Sequence, residues 1–305
     1  MMPAPMPVRS RRPSRSVLAV DLGGTKVAAA VVSPRGAIRD RVAELVDTSS
    51  ADAPVDQIIR LARAAGAVGG IGIAVPGLAR PDGTVWAPNL PGWERVPLAR
   101  LVRQKLKVPV VVESDRNAAV LGEAWQGAAR GRTDVIALIV GTGIGAGILS
   151  GGRILRGAHE LSGCAGWLVV TDQTNEHTSR GGALEALAAG PAVARLTGLR
   201  SAEEAAEKAR RGDRKAQDAF RRAGRLLGYA VANLINTLDP QAVVLTGGLT
   251  AASDLFLKDL REAVIERGQP LSAPQVEITI STLGGDANLL GSARAALAGL
   301  EKRSR

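Results

Sequence analysis

Short apolar runs joined by glycine turns occur at two places along the chain and predict two similar sheets. The first place is residues 17–45, where three runs predict strands at 17–21, 27–33 and 37–45. The second is "DVIALIVGTGIGAGILSGGRIL", residues 134–155, which predicts strand, glycine turn, strand, turn and strand. Runs of this length with tight turns are typical of antiparallel hairpins.

Apolar residues at helical spacing follow both regions and indicate that each half continues into strands and helices. Helices are predicted at 54–65, near 95–105, from Arg116 or Asn117 onwards, and at 183–195, 201–238, 253–267 and 286–300. Further strands are predicted at 68–75, 108–115, 241–249 and 275–281. Two halves with this shared order predict an α/β fold of two related lobes.

Composition is typical of a globular protein and weakens the interpretation as a nucleic-acid binder. Hydrophobic residues make up 46% of the 305 residues, and no apolar run reaches the roughly 18–20 residues of a transmembrane helix. The single cysteine, Cys164, is typical of a reducing cytoplasm. The net charge of +10 is concentrated at the chain ends, and an aromatic content of 2% leaves few side chains for stacking on bases. We therefore expect a cytoplasmic enzyme without a nucleic-acid or membrane partner, and a disordered basic tail over residues 1–16.

Two glycine turns occupy matching places in the two halves. Gly23, Gly24, Thr25 and Lys26 follow the first strand, and Gly141-Thr142-Gly143 follows the first strand of the second half. Glycine allows the backbone to approach an anion, successive amides can then bind phosphate oxygens, and threonine adds a hydroxyl donor. Each turn alone would be an ordinary hairpin turn, whereas the pair indicates a nucleotide bound between two lobes.

Two carboxylates follow apolar strands and are candidates for chemistry. Asp21 precedes the first glycine turn and is a candidate for binding Mg²⁺ directly or through water. Asp115 lies between a strand and a helix, where a carboxylate can accept the proton of a hydroxyl that attacks a γ-phosphate. The structural alternatives remain open, since Asp21 can begin a turn and Asp115 can cap the helix.

Competing motifs fit less well. The Walker pattern is absent, and so is the Gly-x-Ser-x-Gly nucleophile motif of hydrolases. "GTGIGA", residues 141–146, matches a relaxed dinucleotide fingerprint, with Glu160 further along the chain. That fingerprint must open a helix. Here the sequence continues as a strand, which disfavours the dinucleotide interpretation.

Taken together, the motifs "DLGGTK", "VPG", "APNLPGW", "SDRNAA", "GTGIGAGI" and "VVLTGGL" resemble those of ROK proteins (repressors, open reading frames and sugar kinases), in the same order over residues 17–298. The resemblance implies the two-lobed, actin-like and hexokinase-like ATPase fold, whose ribonuclease H-like lobes have a central cleft for ATP, Mg²⁺ and a sugar. It implies an N-terminal lobe of 17–113 plus 288–303, a C-terminal lobe of 114–287, and a homodimer.

The resemblance also implies roles for individual residues. Gly23, Gly24, Thr25 and Lys26 form the first phosphate turn, and Gly141, Thr142 and Gly143 form the second. Asp21 serves Mg²⁺, and Asp115 is the general base. Gly247 and Gly248 lie against the adenosine. The sugar pocket is formed by Gly77, Asn89, Ser114, Asp115, Cys164, Trp167 and Glu185.

This sequence departs from the family pattern in the sugar pocket and at the zinc site. Ser114 stands where the family has Asn, Cys164 where it has a sugar-binding Glu, and Trp167 where it has a His that also ligates zinc. The three family cysteines align with Glu176, Thr178 and Ala183. His159 and His177 are interpreted as surface residues. We therefore expect no structural zinc.

The resulting hypothesis is an ATP-dependent kinase that phosphorylates a hexose or amino-sugar hydroxyl, as glucokinase does. The altered pocket indicates weak glucose affinity and another preferred sugar. The alternative is a non-catalytic sugar or nucleotide sensor on the same fold. A repressor is disfavoured, because we expect no room in this chain for a DNA-binding domain.

Overall fold

The computed structural model describes residues 16–172 and 176–303, so the predicted disordered tail falls almost wholly outside the described residues. Contacts divide the chain into two compact units. The first unit comprises the residues up to Glu113 and those from Ser292 onwards, and the second unit comprises Ser114–Gly291. None of the helices described is both long and apolar enough to cross a membrane.

The first unit is built on a five-stranded sheet in the order β3-β2-β1-β4-β7. Strand β1 pairs antiparallel with β2 and parallel with β4, and β2 pairs antiparallel with β3. A small hairpin, β5-β6, lies outside this sheet. The elements are β1 Val17–Leu22, β2 Lys26–Val32, β3 Ile38–Leu45, α1 Ala53–Ala64, β4 Ile71–Val75, β5 Leu78–Ala79, β6 Val85–Trp86, α2 Leu98–Leu106 and β7 Val110–Ser114.

The second unit repeats this topology in the sheet β10-β9-β8-β11-β12. Strand β8 pairs antiparallel with β9 and parallel with β11, which pairs parallel with β12. Its elements are α3 Asp115–Gln126, β8 Val135–Val140, β9 Ile144–Ser150, β10 Arg153–Ile154, α4 Glu176–Gly181, α5 Ala183–Ala188, α6 Gly190–Thr197, α7 Ala202–Arg210, α8 Arg214–Leu238, β11 Ala242–Thr246, α9 Leu257–Arg267 and β12 Glu277–Ile280. Short 3₁₀ helices occupy Ala165–Trp167, Gly248–Leu255 and Gly284–Asp286. Helix α10, Ala287–Arg303, begins in the second unit and belongs to the first unit from Ser292 onwards.

Helices cover both faces of the second sheet. Ile136 and Leu138 on one face of β8 join a buried cluster with Phe220 and Leu227 of α8. The alternate residues of β8 face a second cluster, to which α3 contributes Val120. Burying a leucine or phenylalanine side chain stabilises a fold by about 1.5–3 kcal/mol. This packing fixes the start of α3, which carries Asp115.

Two predicted helices are wrong in their length, because each is interrupted. The helix predicted at 183–195 breaks at Ala189, whose extended backbone ends α5 and begins α6, and Pro191 favours a new helix start there. The helix predicted at 201–238 breaks at Gly212, which has φ +95°, and Asp213 then caps α8 by accepting a hydrogen bond from Ala216 N at 2.9 Å. The helix predicted to begin at 253 begins at Leu257, after a 3₁₀ segment.

Candidate active site

The first glycine turn is a closed and accessible hairpin turn. Gly23 N donates to Lys26 O at 2.8 Å, and Val46 N donates to Thr25 O at 2.9 Å, so the turn is also bonded to the residue that follows β3. Gly24, Thr25 and Lys26 are exposed. The turn is therefore held by its backbone while its side chains remain open to a ligand.

Asp21 and Gly77 lie at the same edge of the first sheet. Asp21 pairs with Ala74 of the parallel strand β4, and Gly77 follows the end of that strand by two residues. Asp21 is half-buried. Gly77 has φ +85°, and a Cβ there would lie 2.4 Å from Trp86 O, so no other residue fits.

Asn89 packs directly on the first glycine turn. A Cβ placed on Gly24 would lie 3.2 Å from the Cβ of Asn89. The loop that carries Asn89 is fixed by Trp93, whose side chain is 1% exposed and whose Nε1 donates to Ala51 O at 2.9 Å. Trp93 O in turn accepts from Ala87 N at 2.8 Å. The structure thus brings Asn89 to the turn, and it gives Trp93 an anchoring role that sequence reasoning missed.

Asp115 is the first residue of α3, but it is not the helix cap. The cap is Ser114, whose Oγ accepts from Asn117 N at 3.4 Å. Asp115 Oδ1 accepts from Arg116 N at 2.8 Å. The side chain is half-buried, and the surrounding protein removes enough water to raise the pKa of Asp115 above its usual value, with the amide and charge of Arg116 opposing the rise. Since Ser114 caps the helix, Asp115 is left available for chemistry.

Arg116 extends from the base towards Cys164. Its stem lies over β9, because a Cβ on Gly145 would be 2.8 Å from Arg116 Cδ. Its Nη1 lies 3.0 Å from Cys164 Sγ and donates to it. Sequence reasoning missed Arg116, because nothing in its local spacing indicates a partner 48 residues away.

The segment that carries Cys164 and Trp167 is a single 3₁₀ turn attached to β9. Ala146 N donates to Gly163 O at 2.7 Å, and Trp167 N donates to Cys164 O at 3.1 Å. Cys164 is half-buried, whereas 59% of Trp167 is exposed. An exposed indole at this position is available to contact a ligand face.

The second glycine turn is tied to the helices behind it. Gly141 N donates to Gly143 O at 2.9 Å, and Gly190 N of α6 donates to Gly141 O at 2.8 Å. Ile144 N donates to Glu185 Oε2 at 2.8 Å, and a Cβ on Gly143 would lie 2.8 Å from that same oxygen. One carboxylate oxygen of Glu185 therefore positions the turn, and its contact with a sugar stays a prediction.

The predicted adenosine residues lie beside the second turn. Gly247 has φ +95°, and a Cβ there would be 2.5 Å from Val140 O. The nearest contact of a Cβ on Gly141 would be Gly248 N at 3.6 Å. Gly141, Thr142 and Gly248 line one cavity of about 620 Å³, within the usual range of ligand pockets. Its other walls, which sequence reasoning missed, come from α6, from α7 and from the residues just before α7. They are Gly190, Pro191, Ala194, Arg200, Ser201, Ala202, Glu203, Ala206, Glu207 and Arg210, with Leu249, Ala251 and Ala252 of the 3₁₀ segment.

The predicted absence of zinc stays a prediction. Glu176 and His177 lie exposed at the start of α4, Thr178 is buried, and Ala183 begins α5. Over residues 16–172 and 176–303, no cluster of three or more His, Cys, Asp or Glu side chains is arranged to bind a metal. His159 is exposed, as predicted.

Comparison with known proteins agrees with this arrangement. The profile of the ROK family matches residues 17–298. The chain belongs to the ROK family. A glucokinase from Thermotoga maritima is 33% identical, covering 92% of this chain and 97% of the relative. The structure of a ROK family glucokinase from Streptomyces griseus, in complex with glucose and AMPPNP, superposes with a TM-score of 0.78 at 32% identity and covers 93% of this chain and 100% of that one.

The family is not uniform in activity. A xylose repressor from Caldicellulosiruptor bescii is 32% identical, and the matched region covers 73% of this chain and 61% of the repressor. The fold class predicted from the sequence, an α/β actin-like ATPase fold, is confirmed by the two mixed sheets and by these structural relatives.

Proposed function

We propose that the protein is an ATP-dependent sugar kinase that phosphorylates a hydroxyl of a hexose or amino sugar. One observation carries the proposal: the second unit contains both a glycine turn that borders a nucleotide-sized cavity and a half-buried carboxylate, Asp115, whose pKa is raised. A raised pKa brings a carboxylate closer to the operating pH and makes it a better general base. The glucokinase relative and the AMPPNP-bound structure support ATP and a sugar as the two substrates.

The proposed reaction is an in-line transfer. The sugar hydroxyl oxygen attacks the γ-phosphorus and the hydroxyl proton passes to the carboxylate of Asp115. The bond between the γ-phosphorus and the bridging oxygen then breaks, and ADP leaves with that oxygen. The amides of Thr142 and Gly143 would bind phosphate oxygens, because glycine lets the backbone approach an anion, whereas Gly141 N donates to Gly143 O within the turn. Gly248, which lines the cavity, would lie against the nucleoside.

Asp21 suits the Mg²⁺ that such a transfer requires. It is a half-buried carboxylate at a strand end, next to an exposed glycine turn that leaves space for phosphates. Mg²⁺ prefers oxygen ligands and is usually bound by one or two carboxylates together with substrate phosphates. Asp21 would hold the ion directly or through water, and the bound ion would neutralise negative charge on the transferred phosphoryl group.

The alternative function is a non-catalytic sugar or nucleotide sensor. The repressor relative favours it, and so do Cys164 and Trp167, which replace polar residues in the predicted sugar pocket. Both a kinase and a sensor would bind sugar, so sugar binding does not distinguish them. Only the kinase would convert ATP and the sugar into products. We further propose that the protein acts in the cytoplasm as a homodimer, without a nucleic-acid partner, and light scattering of the purified protein would test the dimer.

A panel of neutral, amino and acidic sugars, each with ATP and Mg²⁺, tests the proposal through ADP release. We expect ADP release that depends on at least one sugar and only weak affinity for glucose. Binding should also quench the fluorescence of Trp167, and Trp167→Phe should remove this signal while Trp86, Trp93 and Trp125 remain. Quenching without ADP release would favour the sensor. No response to any sugar, with ATP binding intact, would overturn the sugar-kinase proposal.

A further inference from the structure

Helix α7 forms one wall of the cavity and leads from the second glycine turn to Arg210. Gly190 N donates to Gly141 O at 2.8 Å, and a Cβ on Gly190 would lie 3.6 Å from the Cβ of Ala202, so α7 begins beside this turn. Arg210, the last residue of α7, also lines the cavity. At 1.5 Å per residue, Arg210 follows Ala202 by about 12 Å along the helix axis.

The 3₁₀ segment Gly248–Leu255 leads from the same turn to the same arginine. It begins beside the turn, because a Cβ on Gly141 would lie 3.6 Å from Gly248 N. Near its other end, Asp254 accepts from Arg210 Nε at 3.0 Å and from Nη2 at 2.7 Å, and Ala251 O accepts from Nη2 at 2.8 Å. Arg210 therefore joins the two walls at the end of the cavity away from the phosphate turn, about the length of a nucleoside from it.

These three bonds fix the plane of the Arg210 guanidinium and compensate its charge. Two parallel hydrogen bonds to one carboxylate are the geometry to which the planar guanidinium is suited. Asp254 is also the ion-pair partner of Arg210. Arg210 therefore presents a flat, oriented group whose positive charge is already matched by a carboxylate.

The chemistry of this end of the cavity favours an uncharged planar ligand over a phosphate. Glu203 and Glu207 lie on the wall between the turn and Arg210, and their carboxylates would repel a phosphate chain. Among the described residues that line the cavity, none is aromatic. Arg200 also lines it, but it precedes α7 at the end beside the turn, and its side chain is 93% exposed. Guanidinium planes stack on aromatic rings and on nucleobases.

We propose that Arg210 is a specificity-determining residue whose guanidinium, held by Asp254, stacks on the base of the nucleotide. The enzyme then favours a nucleoside triphosphate over an inorganic polyphosphate as the phosphoryl donor. This inference rests on the proposed function, which places a nucleotide in this cavity, and it adds the residue that recognises the base. Stacking on a guanidinium corresponds to roughly a threefold to thirtyfold gain in affinity.

ADP and pyrophosphate are the matched pair of ligands that tests the inference, because both carry two linked phosphates and only ADP carries a nucleoside. Titration calorimetry with Mg²⁺ gives both dissociation constants without sugar or turnover. Arg210→Gln should raise the Kd of ADP roughly threefold to thirtyfold and leave that of pyrophosphate unchanged. Arg210→Lys should lose the same affinity for ADP, because lysine keeps the charge and the partner Asp254 but has no plane.

The matched control is Arg222→Gln, an exposed arginine of α8 that does not line the cavity and should leave both constants unchanged. Thermal melts show that each variant is folded. An unchanged Kd of ADP in Arg210→Gln would overturn the inference. An equal loss for ADP and pyrophosphate would overturn it as well, because the residue would then act on the phosphates. Full recovery in Arg210→Lys would also overturn it, because charge rather than the plane would then bind the nucleotide.

Failure of the kinase proposal is distinguishable from failure of this inference. If no sugar releases ADP, yet ADP binds and only its affinity falls in Arg210→Gln and Arg210→Lys, the inference stands for a nucleotide-binding sensor. If a sugar is phosphorylated but Arg210→Gln leaves the KM for ATP unchanged, the inference alone is overturned. If the wild type binds neither ADP nor ATP, both are overturned.

Discussion

Replacing Asp115 with asparagine should nearly abolish turnover while leaving the fold intact. Asparagine has the same shape, and its Oδ1 can still accept from Arg116 N, as Asp115 Oδ1 does at 2.8 Å. The helix start is preserved, because Ser114 supplies the cap. What is lost is the acceptor for the hydroxyl proton. General bases contribute about 10²–10⁴ in rate, which corresponds to roughly 2.7–5.5 kcal/mol of barrier.

The same substitution should raise stability at neutral pH. Burial raises the pKa of Asp115, so the folded protein favours the protonated acid and the ionised form is destabilised. The stability that this group contributes is present below its unfolded pKa of about 3.9 and is lost as the pH rises through the raised folded pKa. Asparagine does not titrate. The melting temperature of the variant minus that of the wild type should therefore increase with pH across this window and then become constant.

Three measurements together test the reasoning. Steady-state kinetics should give a lower kcat for Asp115→Asn with an unchanged KM for ATP. The wild-type rate should fall with decreasing pH through the raised pKa of Asp115, above the range of an ordinary aspartate, because the base must be ionised. Thermal melts from pH 4 to 8 should give the stability difference. A variant that turns over at the wild-type rate would refute the assignment of the base, and a variant that is less stable at every pH would refute the desolvation argument.

Three further predictions concern the second glycine turn, the loop held by Trp93, and zinc. Gly143→Ala should destabilise the apo protein by about 1 kcal/mol, because its Cβ would be 2.8 Å from Glu185 Oε2 and would displace that oxygen from Ile144 N. Gly141→Ala meets nothing closer than 3.6 Å and should not destabilise it, so equal melting temperatures for the two variants would contradict this. Trp93→Phe should cost about 2 kcal/mol in urea denaturation through the lost Nε1 bond, with the exposed Trp86→Phe as a near-neutral control. Metal analysis of the tag-free protein should find no stoichiometric zinc, and one equivalent would contradict that prediction.

The sheets and glycine turns could be predicted from the sequence because their signals are local. Apolar runs separated by glycine pairs specify hairpins, and β1, β2, β8 and β9 lie where they were predicted. The position of Asp115 at the start of α3 follows from a strand signal that runs into a helix signal. The breaks at Ala189 and Gly212 also had local signals, a Gly-Pro and a Gly-Asp, which helical periodicity outweighed in the prediction.

The contacts that complete the site are long-range and had no local signal. Glu185 reaches Ile144 N across 41 residues, and Arg116 reaches Cys164 across 48. The cavity walls from α6 and α7 are set by helix packing, which spacing alone does not specify. The resemblance supplied Glu185 as a sugar contact, and the structure adds its bond to the phosphate turn.

The most direct test of the central claim follows the γ-phosphate itself. Wild-type protein is incubated with ATP labelled at the γ-phosphate and with each sugar of the panel, and the products are separated. We predict that the label appears on at least one sugar, and that Asp115→Asn slows this transfer by about 10²–10⁴. Label that remains on ATP, or appears only as inorganic phosphate with every sugar, would contradict the assignment as a sugar kinase.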